Sequence, residues 1–228
     1  GYLLADEIAE YARKLGVLEN RGDPEAGWDR LRFMADVTLL RGYDEEYLRE
    51  MRGIADGAAA AGVQIHGRTP DLLDVVTLNS VVDLGQMQRA MRVTPHALTG
   101  ESFLGAAEEL KIAAEDHKCS AFAATGPATA SGEVVFGQIF MWGGYTGVHW
   151  NVVMDLDPAE GHRLVYHTFP GGIHSGADFY VNSAGIVIGE TTVSQTPYEP
   201  DSTPQSNRIR KAAQYADSMD DVVELLWR

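Results

Sequence analysis

The chain has 228 residues, of which 45% are hydrophobic and 22% are charged, as in ordinary globular proteins and unlike disordered or low-complexity ones. Its 18 Lys and Arg residues against 33 Asp and Glu residues give a formal net charge of −15 at pH 7. This charge repels a phosphate backbone, so we expect no nucleic-acid partner. The single cysteine excludes an intramolecular disulfide and a Cys-rich metal cluster.

The two ends of the chain carry no targeting signal, and no segment approaches the roughly 20 apolar residues of a membrane span. The chain begins without Met and stops inside an amphipathic pattern over residues 220–228. We therefore expect material to be missing at both ends. The composition is compatible with a cytoplasmic protein or with an exported one. It also leaves open whether the protein forms a homo-oligomer.

The first half of the chain, up to about residue 115, has the apolar periodicity of helices. Asp44 is placed to cap a helix in which apolar residues recur every three or four positions. Thr69 and Pro70 predict a second helix start, with Thr69 as the cap and Pro70 in the first turn. A further amphipathic pattern predicts a helix over residues 102–114.

From Cys119 onward the apolar period changes to two, which predicts strands separated by turns rich in Gly, Pro and Ser. The predicted strands are Cys119–Ala124, Val134–Met141, Val148–Leu156, Arg163–Phe169, Phe179–Val181 and Ile186–Glu190. Helical periodicity returns after Pro204. Strands that are grouped together, with helices before and after them, predict an α+β fold with an antiparallel meander.

Cys119 lies where the helical half ends and the strand half begins. One interpretation is a small buried hydrophobic residue at the start of a strand. The other is a nucleophile that is released by a cut between Lys118 and Cys119. Such a cut places a thiol and an α-amino group on one residue, and the amine, with a pKa of about 8, can serve as the general base. The position at the change of period favours the second interpretation.

Several motifs resemble those of the N-terminal-nucleophile (Ntn) hydrolases, in the group related to isopenicillin N acyltransferase. The motifs are Cys119-Ser120-Ala121-Phe122-Ala123-Ala124-Thr125-Gly126, Gly132, Gly137-Gln138 and Asn182-Ser183-Ala184-Gly185-Ile186, and residues 47–58 and 74–79 are similar to that group's propeptide-side helices. The sister group of phospholipase B-like proteins is similar in Pro170-Gly171, Ser175, Asp178-Phe179-Tyr180, Glu190-Thr191-Thr192, Arg208 and Arg210.

The resemblance implies a four-layer αββα Ntn sandwich. Residues 1–118 are then a helical propeptide-side segment, and residues 119–228 are the start of the catalytic segment of the same domain. It also implies self-cleavage between Lys118 and Cys119. The freed Cys119 attacks a linear non-peptide amide, forms an acyl-cysteine, and passes the acyl group to water or to a small acceptor, with no metal or cofactor.

Five further residues complete the predicted site. Asn182 matches the asparagine that related enzymes use as an oxyanion donor, although an ordinary turn residue fits the sequence about as well. Gln138, Trp142, His149 and Glu190 are the residues that we expect to bind the substrate.

The sequence departs from the related families at two places. Met141 stands where acyltransferase-like relatives carry an Asp, and the His that phospholipase B-like relatives place near Gln138 is missing. Two alternatives therefore stay open. One is a phospholipase B-like esterase or amidase that acts on lipid-derived substrates, and the other is a non-catalytic relative that keeps the fold.

Overall fold

A computed structural model describes residues 1–99, 119–191, 199 and 201–227, with side chains described for all of these except residues 91–99. Five helices come first: α1 (Ala5–Glu19), α2 (Pro24–Thr38), α3 (Glu45–Ala60), α4 (Leu72–Asn79) and α5 (Val81–Thr99). The second half contains β1 (Ser120–Ala124), β2 (Val135–Ile139), α6 (Gly144–Gly147), β3 (Val152–Leu156), β4 (Leu164–Thr168), β5 (Phe179–Asn182), β6 (Val187–Gly189), α7 (Gln205–Tyr215) and α8 (Met219–Trp227).

These elements confirm the predicted mixed α+β class. The helix predicted over residues 102–114 lies outside the described residues, as does Lys118. In the part of the chain that is described, no helix has the length and apolar composition needed to cross a bilayer.

Two predicted helix starts differ from the structure in detail. Helix α3 follows Asp44 as predicted, but the Asp44 carboxylate makes no capping bond and instead accepts a hydrogen bond from Lys211 Nζ at 2.7 Å. The predicted cap at Thr69 is wrong, because α4 is capped by Asp71. Asp71 Oδ1 accepts from the Asp74 N–H at 3.1 Å, and Asp74 Oδ2 accepts from the Asp71 N–H at 2.9 Å. This reciprocal capping box satisfies two backbone donors at once and so fixes the helix start beyond Pro70.

Within the described residues, six strands form two antiparallel sheets, a β1–β2 hairpin and a four-stranded meander in the order β3-β4-β5-β6. The buried Tyr180 of β5 packs in one core cluster with Ile209 of α7. Its neighbour Phe179 points to the opposite face and packs on Phe136 of β2, with ring centroids 5.8 Å apart. The described residues are therefore layered as helix, four-stranded sheet and hairpin.

The core joins the two halves of the chain. The main apolar cluster belongs to the first four helices and the start of α5, and it includes the buried Trp28, Tyr47 and Met51. Trp150 and Phe169, from the second half, pack into the same cluster. The second half therefore completes a core that the helical half mostly supplies.

Polar contacts reinforce this junction. Arg210 of α7 is 1% exposed, donates to the Ile173 carbonyl at 2.6 Å, and pairs with Glu50 of α3 at 3.0 Å. Close to it, Gln214 and Tyr215 donate to the Glu46 carboxylate at 2.6 and 2.7 Å. The basic and amide side chains of α7 thus bind acidic side chains of α3 across the junction.

Candidate active site

Cys119 lies immediately before β1 and is half-buried. In the β1–β2 hairpin Ala121 pairs with Gln138, and directly paired residues of antiparallel strands point to the same face. Because side chains alternate along a strand, Cys119 shares the face of Ala121 and Gln138. This face of the hairpin is turned toward β5 and β6. The Cys119 Sγ atom lies 4.0 Å from Asp178 Oδ2.

Asp178 and Glu190 form a carboxyl pair next to the thiol. The Glu190 N–H donates to the Asp178 carbonyl at 3.2 Å, and the two neighbouring carboxyl groups influence the pKa of each other. Burial, and next the nearby charge of Glu190, raise the pKa of Asp178 to about 8. Burial also raises the pKa of Glu190. The pair therefore holds one proton at neutral pH.

The Cys119 thiol is neutral in this arrangement. Burial raises its pKa, and the negative charges of Asp178 and Glu190 raise it further. The backbone of Met141 opposes them by hydrogen bonding to the sulfur, which lowers the pKa. Because a thiol is a weaker nucleophile than a thiolate, the group needs a base before it can attack a carbonyl.

Gln138 connects the hairpin to the carboxyl pair. Its Nε2 donates to the Glu190 carbonyl at 2.7 Å, while its Oε1 is buried and has no hydrogen-bond partner among the described residues. Gly189 permits this close approach, since a Cβ there would overlap the Phe136 ring and lie 3.2 Å from Gln138 Oε1. The absence of a side chain at Gly189 thus lets the end of β6 pack closely against β2.

A cavity of about 700 Å³ opens beside this group. Its most prominent wall consists of Phe140, Trp142 and Trp150, whose rings stack with centroids 4.8 to 5.7 Å apart. The remaining lining residues are Phe136, Gly137, Gln138, Gly144, Gly147, Val148, His167, Ala177 and Phe179. Among the described residues, the lining contains no Lys, Arg, Asp or Glu, and this part of the wall favours an uncharged group.

The structure brings together four of the residues that the sequence predicted. Cys119, Gln138 and Glu190 form one contiguous group, and Trp142 lines the adjoining cavity. His149 is not among the cavity residues, and its ring packs against Tyr11 of α1 with centroids 5.5 Å apart. Burial lowers the pKa of His149, as expected for an imidazole that packs against the helical core.

Asn182 lies away from the thiol. It is four residues beyond Asp178 along β5, a distance of about 13 Å for an extended strand. Its Nδ2 donates to the carbonyls of Ala213 and Ala216, and its Oδ1 accepts from the N–H groups of Ala184 and Ile186. These four bonds fill the capacity of the amide. The position fits the turn interpretation, and the predicted oxyanion role gains no support from it.

Asp178 is a residue of the site that the sequence does not predict. It belongs to the motif Asp178-Phe179-Tyr180, but the acid that the resemblance leads us to expect beside the cysteine is at position 141, where Met stands. The structure supplies that acid from the segment before β5. Its positive φ of 59° would have been the local signal, but backbone dihedrals are not legible from a sequence.

The comparison with protein families agrees with part of the sequence resemblance. A family model for phospholipase B matches residues 44–206, which is most of the chain and includes Cys119, Asp178 and Glu190. The chain belongs to the phospholipase B family. The wider Ntn grouping stays a prediction, because the family match does not test it.

The chain is also similar to an archaeal protein whose name assigns it no function. This uncharacterized protein of Archaeoglobus fulgidus is 30% identical to the chain over 183 residues, which covers 79% of this chain and 28% of that protein. The chain thus spans less than a third of the length of this relative. No solved structure matches this chain.

Proposed function

We propose that the chain is a self-processing cysteine hydrolase of the Ntn type, which cleaves a linear amide, or transfers its acyl group, through an acyl-cysteine. The observation that carries the proposal is the Cys119 thiol, whose sulfur lies 4.0 Å from a carboxyl group on the strand face beside an apolar cavity. A nucleophile, a proton-accepting group and a substrate-sized cavity are what acyl transfer requires. Residues 1–118 and 119–228 are, in this proposal, the two segments of one αββα domain.

Self-cleavage would activate the nucleophile. The Cys119 sulfur attacks the carbonyl carbon of Lys118, the bond to the Cys119 nitrogen breaks, and a thioester forms. Water then hydrolyses the thioester, which leaves a carboxylate on Lys118 and restores the thiol. Cys119 now carries a free α-amino group, which supplies the base that the buried thiol needs.

In the catalytic cycle, the α-amino group takes the thiol proton as sulfur attacks the substrate carbonyl. The Met141 backbone, which is already bonded to the sulfur, offers a nearby N–H donor for the developing oxyanion. The α-ammonium group then returns the proton to the departing amine, and water releases the acyl group.

A second candidate function is a phospholipase B-like esterase or amidase that acts on lipid-derived substrates. Family membership and the uncharged aromatic lining of the cavity favour it. The nucleophile and the chemistry are the same, and the difference lies in the leaving group. Esters and amides with the same acyl chain distinguish the two candidates directly.

The intact mass of the purified full-length gene product tests the proposal. We expect two fragments that meet between Lys118 and Cys119, with masses that add up to the uncut chain plus one water. A chain that stays uncut, with a native Cys119 thiol that does not react with iodoacetamide, contradicts the proposal and indicates a non-catalytic relative.

The stacked wall of the cavity predicts a specificity change on Trp142→Ala. Removing the indole opens the cavity and exposes the stacked faces of Phe140 and Trp150. We expect kcat/KM for the best wild-type acyl chain to fall about tenfold, and the optimum to move to a longer or bulkier chain. Steady-state kinetics on amides with short, medium and long acyl chains measure this.

A matched control for that variant is Trp227→Ala, because Trp227 lies on α8 and is 89% exposed. It removes the same side chain away from the cavity and should leave the chain-length optimum unchanged. An equal decrease for every acyl chain in Trp142→Ala would contradict a role of the wall in specificity.

A further inference from the structure

The Asp178–Glu190 pair holds a proton directly beside the nucleophile. The two residues are neighbours, because the Glu190 N–H donates to the Asp178 carbonyl at 3.2 Å, and Asp178 Oδ2 lies 4.0 Å from the Cys119 sulfur. Two buried carboxyl groups this close share a proton more readily than they both ionise. A singly protonated pair is both an acid and a base, since one group can accept a proton while the other donates one.

The backbone at Asp178 is built to present this carboxyl group. Its φ of 59° lies in the left-handed region, which is unfavourable for a residue other than glycine. Bonds on both sides maintain the conformation, because the Asp178 carbonyl accepts from the Glu190 N–H and the next N–H, of Phe179, donates to Ser175 Oγ at 2.9 Å. A strained conformation that is held in this way indicates a functional constraint on the position.

An independent observation concerns the neighbouring Gln138. Its Oε1 is buried without a partner among the described residues, and an unsatisfied buried acceptor is unfavourable. The side chain cannot turn freely, because its Nε2 is bonded to the Glu190 carbonyl. Among the residues that the structure describes, this acceptor beside the carboxyl pair therefore has no N–H donor. A cut before Cys119 would create an α-amino group with such donors.

We propose that the Asp178–Glu190 pair relays protons during self-cleavage and afterwards binds the new α-amino group of Cys119. The ionised carboxylate accepts the thiol proton as sulfur attacks the Lys118 carbonyl. The protonated carboxyl group donates its proton to the Cys119 nitrogen, which keeps the bonding electrons as it departs. The pair thus begins and ends the step with one proton. This inference rests on the proposed function.

After hydrolysis of the thioester, the new Lys118 carboxylic acid loses its proton to the solvent, and the neutral α-amino group of Cys119 remains available as a base. Its two N–H donors match a carboxylate of the pair and Gln138 Oε1, and its lone pair is left for the thiol proton. Both carboxyl groups exchange a proton with a reacting atom in this scheme, so both are catalytic, and Asp178, with Oδ2 4.0 Å from the sulfur, is the nearer of the two.

The scheme requires a definite pH dependence. The described titratable groups that face Asp178 are Glu190 at the end of β6, Cys119 before β1 and Tyr180 of β5, and none of them is a cation. Burial and Glu190 raise the pKa of Asp178 to about 8, so the pair keeps its proton below this pH and loses it above. The cleavage rate should therefore fall as the pH rises through about 8.

The test follows cleavage of the full-length product after pulse-labelled cell-free translation, on denaturing gels, between about pH 6 and about pH 10. Asp178→Asn keeps the size of the side chain, and Asn tolerates positive φ well. We expect it to slow cleavage about 100-fold or more and to abolish the decrease above pH 8. Glu190→Gln should move that decrease to lower pH, because Asp178 then loses the neighbouring charge.

The matched control is Glu133→Gln, an exposed carboxyl group near the start of β2, which should cleave like the wild type. If the Asp178→Asn protein cleaves at the wild-type rate, with the same decrease above pH 8, the inference is wrong but the proposed function stays intact. Wild-type protein that never cleaves overturns the proposed function itself. If Asp178→Asn fails to fold, Glu190→Gln decides, since an unchanged pH profile there contradicts the relay and a shifted one supports it.

Discussion

Replacing Cys119 with Ala should leave the full-length product as one uncut chain and abolish its hydrolase activity. Both outcomes have the same cause, because the sulfur is the nucleophile of the cleavage and of the catalytic cycle in the proposed scheme. We expect no fragments after prolonged incubation. The rate of amide hydrolysis should fall to that of the buffer. Intact mass and a chromogenic amide measure the two effects on one preparation.

Two variants sharpen this prediction. Ser120→Ala changes the exposed residue next to the nucleophile and should leave cleavage and activity at wild-type levels. Cys119→Ser keeps a nucleophile of similar size but with a much less acidic proton, so we expect slow cleavage rather than none. Fragments from the Cys119→Ala variant, cut at the same bond, would show that another group performs the cleavage.

The second large effect is expected at Arg210. Arg210→Met should lower the free energy of unfolding by about 3–5 kcal/mol, because it removes one partner of a buried ion pair and leaves the others unsatisfied. Those partners are the Glu50 carboxylate, the Ile173 carbonyl and Gln214 Oε1. Urea denaturation in the Cys119→Ala background measures the change, since a single uncut chain keeps unfolding unimolecular.

The same contacts predict whether the two fragments stay associated after cleavage. Arg210 lies after the proposed cut and Glu50 before it, so the fragments of the wild type should elute together in gel filtration and those of Arg210→Met should separate more readily. Arg163→Met is the control, because Arg163 is exposed and pairs with the exposed Asp155 within the second half. A variant at Arg210 that unfolds like Arg163→Met would contradict the structural role of the buried pair.

Local patterns predicted the elements of the second half well. All six strands lie within or next to the predicted segments, since alternating β-branched and aromatic residues followed by Gly or Pro turns are a local signal. The cap of α4 was predicted wrongly because Asp71 competes with Thr69, and a reciprocal bond with Asp74 decides between them. Which residue caps a helix depends on which side chains are in contact with the first turn, and sequence spacing alone does not show this.

The candidate site was predicted in part. Cys119 and Glu190 were selected from motifs, and the structure places them in one group with Gln138. Asn182 was selected by the same reasoning, yet its amide closes a turn and the end of α7. A motif gives the order of residue types along the chain, but it does not show at which end of a strand a side chain lies or what it contacts.

The sequence by itself determined the α+β class, the change of period at Cys119 and the resemblance that the phospholipase B family match supports. These depend on local periodicity and on short motifs, which are legible along the chain. Only the tertiary structure decided that Asp178 is the acid beside the thiol and that Glu190 lies next to it. The reason is physical, because β1 lies far from β5 and β6 along the chain, and only their packing brings these groups together.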